Sequence, residues 1–393
     1  MTPPGTWPRV LVAGGSIGGL TTALLLADLG CDVVVFERSR SPLEGRGAGI
    51  VVLPTTERYF REKGISGVSL ELPWWKYIDR DGEELSAHLD RFRFSGWNTL
   101  YRGLLGELPS HRYRLDSEMV SFREEGDAVV VRLADGSEAE GDLLVCADGF
   151  GSTARQILLP DVSPTYAGYV AWRGVTPETH LGEDALGAVA DAMLYQVLDD
   201  GHILVYAIPH PDGSATPGQR LVNFVWYRNY PEGDRFTDVM TDDSAQLRTS
   251  TVPPGSVAPH HLQELHRLAD RVLAPVLAEI VHRAEEILIQ AIYDLESPRM
   301  AFGNVCLLGD AAFVARPHLA AGQAKACADA WALRDALQRH SGRVEPALAD
   351  WEPGQLDLGR RVVRRSREMG DLSSSGRMPV GDPRWKFGLG QAA

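Results

Sequence analysis

Residues 10–20 read Val-Leu-Val-Ala-Gly-Gly-Ser-Ile-Gly-Gly-Leu. A short apolar run, closed by glycines and followed by an Ala- and Leu-rich stretch, reads as a buried strand turning directly into a helix. Gly14 allows the chain to reverse where a Cβ would obstruct it, and Gly19 allows the helix to pack close to the strand. The first turn of that helix offers unpaired N–H groups and the positive end of its dipole, which suits a pyrophosphate. The helix continues from Leu20 to Leu29, and Gly30 is placed to cap it. Asp32-Val33-Val34-Val35-Phe36 is continuous and β-branched, as a strand buried on both faces should be. Glu37 ends that strand, where a carboxylate accepts ribose hydroxyls. The pattern departs from G-x-G-x-x-G once: Ser16 occupies the middle glycine position, and its small side chain could itself donate to phosphate. Strand, glycines, helix and acid in register predict a dinucleotide-binding β-α-β unit rather than a glycine-rich turn without a ligand.

Outward from this unit the pattern changes. Val129 to Leu133 runs into the turn Ala134-Asp135-Gly136-Ser137, and Leu143 to Ala147 forms a further apolar strand. Residues 166–228 alternate and are rich in aromatics (YVAWRGV, HILVYAIPH, RLVNFVWYRN), with turn clusters such as Pro211-Asp212-Gly213-Ser214 between them, so they predict an antiparallel sheet. Helices are expected over 257–288, a buried strand over 304–310 and an Ala-rich helix over 322–340. From residue 371 the Gly/Ser/Pro-rich composition reads as a loose tail or partner-contacting arm. The fold class is therefore α/β in a two-domain α+β chain. A discontinuous Rossmann-like domain (1–72, 97–165 and 290–370) carries an inserted antiparallel-sheet substrate domain (73–96 and 166–289), C-terminal helices and a tail (371–393). A chain that leaves and re-enters its dinucleotide domain puts the ligand at a domain interface.

The 393 residues, 44% apolar and 23% charged, have a globular composition. A formal net charge of −14 argues against nucleic acid and anionic membranes as partners. No apolar run reaches the roughly 18 residues of a membrane span, and the start MTPPGTW has no signal-peptide pattern. Cys31, Cys146, Cys306 and Cys327 form no C-x-x-C pair and read as buried, reduced thiols of a cytoplasmic protein.

Two further motifs carry chemistry. Ala147-Asp148-Gly149-Phe150-Gly151-Ser152-Thr153-Ala154-Arg155 closes an apolar strand. Cys306-Leu307-Leu308-Gly309-Asp310-Ala311-Ala312 ends another in an acid, and Pro317-His318 then leads to Ala321-Gly322-Gln323-Ala324 at a helix start. Asp310 can take a ribityl hydroxyl, and the helix start can face the N1–C2=O edge of a flavin.

The ordered set GGSIGGL, Glu37-Arg38, ADGFGSTAR and GDAAFVARPHLAAGQAKACADA resembles the single-component FAD-dependent aromatic hydroxylases, of which para-hydroxybenzoate hydroxylase is the type. The likeness spans almost the whole chain. Gly47-Ala48-Gly49-Ile50-Val51-Val52, YVAWRGV and RPHLAAGQAKAC resemble members acting on hydroxypyridines. The resemblance implies non-covalent FAD, NAD(P)H as a transient co-substrate, and hydroxylation of an electron-rich aromatic or heteroaromatic ring by O2 through a flavin C4a-hydroperoxide. Flavin oxidase, halogenase and non-catalytic flavin-binding protein are the alternatives, the halogenase lacking W-x-W-x-I-P. The resemblance also places Gly14, Ser16, Ile17, Gly19, Glu37, Arg38, Gly49, Arg102, Asp148, Asp310, Pro317, Ala321, Gly322, Gln323 and Ala324 at the cofactor. Two positions depart from the family pattern: Phe313 where many members have His, and Ala324-Lys325-Ala326 where many have G-x-N.

Strand alternation puts His202, Leu204, Tyr206, Ile208 and His210 on one face, a surface suited to a flat, ionisable ring. A base titrating near neutrality is expected there, because a phenolate is a better nucleophile than a phenol. His210, His202 and His318 are the candidates, His210 foremost, with Tyr206 as relay. Tyr195, Tyr206, His210 and Trp226 are the expected substrate contacts. His260, His261 and His266 do not share a helical face, so no metal is expected. Arg360, Arg361, Arg364, Arg365 and Arg367 read as an exposed helix face, with nicotinamide-phosphate capture or a homodimer contact as the alternatives.

Overall fold

The computed structural model describes residues 7–44, 49–382 and 386–390. Strand Arg9–Ala13 pairs in parallel with Asp32–Phe36 on one side and Leu143–Cys146 on the other. Leu143–Cys146 pairs in parallel with Val305–Leu307. Tyr113–Arg114 and Ala301–Phe302 complete a six-stranded sheet. Its strands are apolar runs because both faces are covered, and Val10, Leu11, Val12, Val33, Val35, Leu144 and Val145 are buried in one cluster with Leu20 and Leu24 of the first helix and Val129 and Val131 of a neighbouring strand. Helix Ile17–Leu29 ends at Gly30, whose φ of 104° is the left-handed cap expected. Strands Met119–Glu125, Ala128–Leu133 and Glu138–Gly141 form a separate three-stranded meander.

The second sheet has ten strands. Its central part runs Glu285–Glu296, Thr165–Pro177, Leu221–Asn229, Gly201–Ile208, Ala192–Leu198, Leu70–Ile78 and Glu84–Gly96. Pairing is antiparallel except between Ala192–Leu198 and Leu70–Ile78. One face packs against helices Pro259–Val272 and Pro275–His282 through Trp172, Ile203, Val205, Phe224 and Trp226. The other carries Tyr169, Tyr195, Leu204, Tyr206 and Tyr227 toward Leu319, Ala321 and Ala324 of the first domain. Period-two alternation assigns each side chain to one of these faces.

The sheet is more extensive than the expected insertion. Gly49–Val51 already belongs to it, and Leu70–Ile78 begins before residue 73. Glu285–Glu296 begins inside the stretch expected to be helical and runs past residue 289. Continuous ladder hydrogen bonding, rather than a change in composition, sets these limits. The expected tail also differs. Helix Val344–Ser374 passes residue 371. Beyond it Met378 is buried, and Phe387 stacks on Trp75 with centroids 5.8 Å apart and planes at 9°. The Gly388 N–H donates to the Leu319 carbonyl at 3.0 Å. Two apolar anchors hold a segment whose Gly/Ser/Pro content signals only irregular backbone. All four cysteines are buried and unbridged. No helix among the described residues is long and apolar enough to cross a membrane.

Candidate active site

The glycine turn is sterically required. A Cβ on Gly14 would lie 2.3 Å from the Ala147 carbonyl oxygen, and one on Gly19 would lie 1.9 Å from the Gly14 oxygen. Gly14 also has a φ of 100°. Ser16 occupies the helix N-cap without a side-chain capping bond. Buried Glu37 accepts the Gly15 N–H at 2.9 Å on one carboxylate oxygen and the Ser39 N–H at 2.9 Å on the other. Both oxygens retain lone pairs toward a groove lined by Gly14, Ser16, Glu37, Arg38, Asp148 and Thr153.

That groove continues. Ser16, Ala147 and Gly149 also border its next section, with Ile17, Asp310, Gly322 and Gln323. Asp310 then borders a third section with Phe150, Gln290, Tyr293, Ala315 and Pro317. Successive sections of the groove thus follow from Glu37 past the helix N-terminus to Pro317, sharing Ser16, Ala147 and Gly149 at the first join and Asp310 at the second. Its acids are held in place. Asp148 accepts the Ala154 N–H at 3.2 Å, and burial raises its pKa against that bond. Asp310 lines the groove with its residue exposed there; the surrounding protein raises its pKa, while Lys325 and Arg155 oppose the rise. Buried Arg155 donates to the Ala311 carbonyl at 3.2 Å and the Phe150 carbonyl at 2.6 Å, tying the Asp148 and Asp310 turns together. The sequence reading gave Arg155 no role, although it closes the second motif.

Ala321 is buried ahead of helix Gly322–Arg339, and Ala324 is buried in its first turn. Gly49 is clamped from both sides: its N–H donates to Asn223 Oδ1 at 2.7 Å and its carbonyl accepts Arg173 Nη2 at 2.8 Å. Gly47 and Ala48 lie outside the described residues. Arg102 pairs with Glu44 at 2.7 Å on the exposed surface and lies outside the groove linings above.

The substrate face needs three corrections. Trp226 points the other way, into the cluster with Trp172 and Ile203, because it is one residue out of phase with Val225 and Tyr227. His210 is not on the strand, which ends at Ile208. Pro209 cannot donate to the ladder, and His210 turns out to Asp212, its Nδ1 3.0 Å from Oδ1 and its side chain half-exposed. The expected near-neutral base is the third. His202 is buried with Nδ1 2.6 Å from Ser373 Oγ, and burial lowers its pKa to about 3. His318 Nε2 lies 2.7 Å from the Tyr169 hydroxyl; burial, then His202 and Arg316, hold its pKa well below the usual value. Both imidazoles are neutral at physiological pH.

Tyr206 sits on this face, its ring 4.5 Å from that of Phe94 and its backbone in register with Asn223. Tyr195 stacks on His202 at 5.0 Å, within the aromatic cluster of Trp75 and Tyr77. Arg173, Asn223 and Tyr227 share the face and were missed, because a mid-strand Arg or Asn signals nothing until its neighbours are known. Elsewhere, the ligand atoms of Asp238, His260 and His261 lie within 4.8 Å of one another, but Asp238 and His260 are exposed and His261 Nε2 is 3.0 Å from the Asp238 carbonyl. Arg367, from the arginine-rich helix, pairs with Asp294 and Glu296.

A parallel sheet with this glycine turn, a bent groove ending against a large antiparallel sheet, and acids at both turns define a two-domain FAD-binding protein. A family model described as FAD binding domain-like matches residues 166–294. The chain is 36% identical to the 2,6-dihydroxypyridine 3-monooxygenase of Paenarthrobacter nicotinovorans, over 98% of this chain and 96% of that one. The solved structure of 2,6-dihydroxypyridine-3-hydroxylase from Arthrobacter nicotinovorans superposes with a TM-score of 0.92 at 34% identity, covering 98% of each chain. Klebsiella pneumoniae HpxO, solved with FAD and uric acid, shares the fold at a TM-score of 0.75 and 23% identity, with 96% of this chain and 90% of that one covered. The chain belongs to the FAD-dependent aromatic monooxygenase family.

Proposed function

We propose that this enzyme hydroxylates a hydroxylated N-heteroaromatic ring of the dihydroxypyridine type, using O2 and NAD(P)H. The observation that carries this reading is the end of the groove. Just after Pro317, Leu319 and Ala321 pack against the sheet face that bears Tyr206, Tyr227, Asn223 and Arg173, aromatic rings and hydrogen-bond donors suited to a flat polar ring. Bound FAD supplies the activation of dioxygen and the delivery of one oxygen atom to the ring. Glu37 holds the ribose, the N-terminus of helix Ile17–Leu29 holds the pyrophosphate, and Asp310 holds the ribityl chain. Leu319 and Ala321, both buried, keep water from the reacting edge. The sequence has a single strand–glycine turn–helix unit, so the nicotinamide cofactor visits without a Rossmann domain of its own.

The test is turnover of NAD(P)H by purified holoprotein with and without 2,6-dihydroxypyridine. Slow oxidation alone and strong acceleration with the ring, matched by hydroxylated product, support the reading. Equal rates with and without the ring, all electrons appearing as peroxide, contradict it.

A further inference from the structure

We infer that the segment 386–390 is a clamp on the flavin end of the groove, with Phe387 and Gly388 as positioning residues that act through Leu319 and Ala320. The turn between Pro317 and Gly322 joins two groove sections. Pro317 borders one, Gly322 and Gln323 border the other, and Asp310 borders both. Within this turn Ala320 has φ 52° and ψ 25°, in the left-handed region. A residue with a Cβ reaches that region only at a cost, so its surroundings must hold it there. Three contacts grip the turn. The Arg316 N–H donates to Ser366 Oγ at 3.1 Å, and His318 Nε2 lies 2.7 Å from the Tyr169 hydroxyl. The third is the Gly388 N–H, which donates to the Leu319 carbonyl at 3.0 Å, one residue before Ala320.

The segment that supplies this third donor is anchored outside the groove. Phe387 lies flat on Trp75, and its ring centroid is 5.0 Å from that of Phe92. Lys386 Nζ lies 3.0 Å from Asp90 Oδ2. Trp75, Asp90 and Phe92 belong to strands of the second sheet, whereas Leu319 leads into helix Gly322–Arg339. Phe387 and Leu389 also pack against the cluster that contains buried Leu319. Gly388 has φ 142°, a conformation that a residue with a side chain rarely adopts, so a glycine there turns its N–H toward Leu319. None of residues 386–390 borders the three groove sections described above. Their influence on FAD is therefore indirect, passing from Phe387 and Gly388 through Leu319 to the Ala320 backbone. With the segment seated, the strained turn is held and the groove is shaped before FAD arrives. With the segment released, Ala320 relaxes, and FAD must re-form the turn as it binds. Linkage makes the effect reciprocal: bound FAD holds the segment down by the same factor that the segment tightens FAD.

The experiment titrates apoprotein with FAD, reading flavin fluorescence. Gly388→Pro removes the donor, and Phe387→Ala removes the stacked ring. Each should weaken FAD about tenfold, whereas Phe387→Tyr, which keeps the ring, should stay within about threefold of wild type. Ala320→Gly should restore most of the lost affinity in either weakened variant, because glycine occupies the left-handed region without the cost. It should add little to wild type, whose turn the segment already holds. A role for Phe387 in packing alone predicts no such rescue. A second measurement needs no variant and decides if the substitutions prevent folding. Exchange of the Gly388 amide hydrogen in the wild-type chain should slow about tenfold when FAD is bound. Unchanged FAD affinity in folded variants, no rescue by Ala320→Gly, or exchange indifferent to FAD overturns the inference. These readouts use no ring substrate, so they are separable from the hydroxylase reading. A clamp that behaves as expected in a protein that hydroxylates no ring sinks that reading alone. Hydroxylation by a protein whose Gly388 exchange ignores FAD sinks only the clamp.

Discussion

Lys325 Nζ lies 2.7 Å from Asp329 Oδ2, and that same oxygen accepts the Gly309 N–H at 2.9 Å. Both side chains are buried, one helical turn apart, and the ammonium sits 4.7 Å from the centroid of Phe313. Phe313 is itself a departure from the family pattern, and Lys325 lies between two others, Ala324 and Ala326; here Phe313 and Lys325 are in contact. The ion pair staples the Gly309-Asp310 turn to helix Gly322–Arg339, and Phe313 covers the charge.

Breaking this pair from one side leaves a buried, uncompensated charge, which typically costs about 3–5 kcal/mol. Lys325→Met and Asp329→Asn should each lower the melting temperature and weaken FAD retention in gel filtration. The double variant Lys325→Met/Asp329→Leu should recover much of the stability. Single variants as stable as wild type would show that the staple contributes nothing.

Asp310→Ala removes a charged acceptor from the groove between the helix N-terminus and Pro317. A hydrogen bond to a charged group contributes about 1.5–3 kcal/mol, so FAD affinity should fall roughly 10- to 100-fold. Flavin fluorescence titration of apoprotein measures this, and unchanged affinity would remove Asp310 from the ribityl contact.

His210→Ala should leave FAD content and the turnover rate within about threefold of wild type, as for a substitution on an exposed turn. A loss of about 10²–10⁴, the effect of removing a general base, would return His210 to the chemistry.

His202 supplies a pH dependence of stability. It is neutral in the fold down to about pH 3, whereas an unfolded histidine protonates near its ordinary value of 6.5. Below 6.5 the unfolded chain therefore binds the extra proton. The contribution is fully present above pH 6.5 and declines as pH falls toward 3. Melting temperatures from pH 7 to 4 should fall, and His202→Phe should flatten part of that slope. An identical slope in the variant would show that His202 does not carry it.

The sequence made some of this legible and hid the rest for physical reasons. The segment 10–37 declares itself because the steric demand at Gly19, set by the Gly14 carbonyl, is local, and the distant turn at Ala147 that presses on Gly14 is part of a quoted motif. Alternation identified the second sheet and the shared face of His202, Leu204 and Tyr206. It did not place Trp226: both faces of the sheet are apolar, and aromatic identity alone does not say which one faces the groove. It misled at His210 because Pro209 ends the ladder first. The Lys325–Asp329 staple and the clamp of Gly49 by Arg173 and Asn223 are invisible in one dimension. The first reads as an ordinary i, i+4 surface pair, and the second joins residues far apart in the sequence.

The central claim is that one atom of dioxygen enters the ring. Holoenzyme turned over with NAD(P)H, 2,6-dihydroxypyridine and ¹⁸O2 should give a product heavier by one labelled oxygen, with the second atom in water. Label found only in water or hydrogen peroxide, with the ring unlabelled, would contradict the account and leave an oxidase.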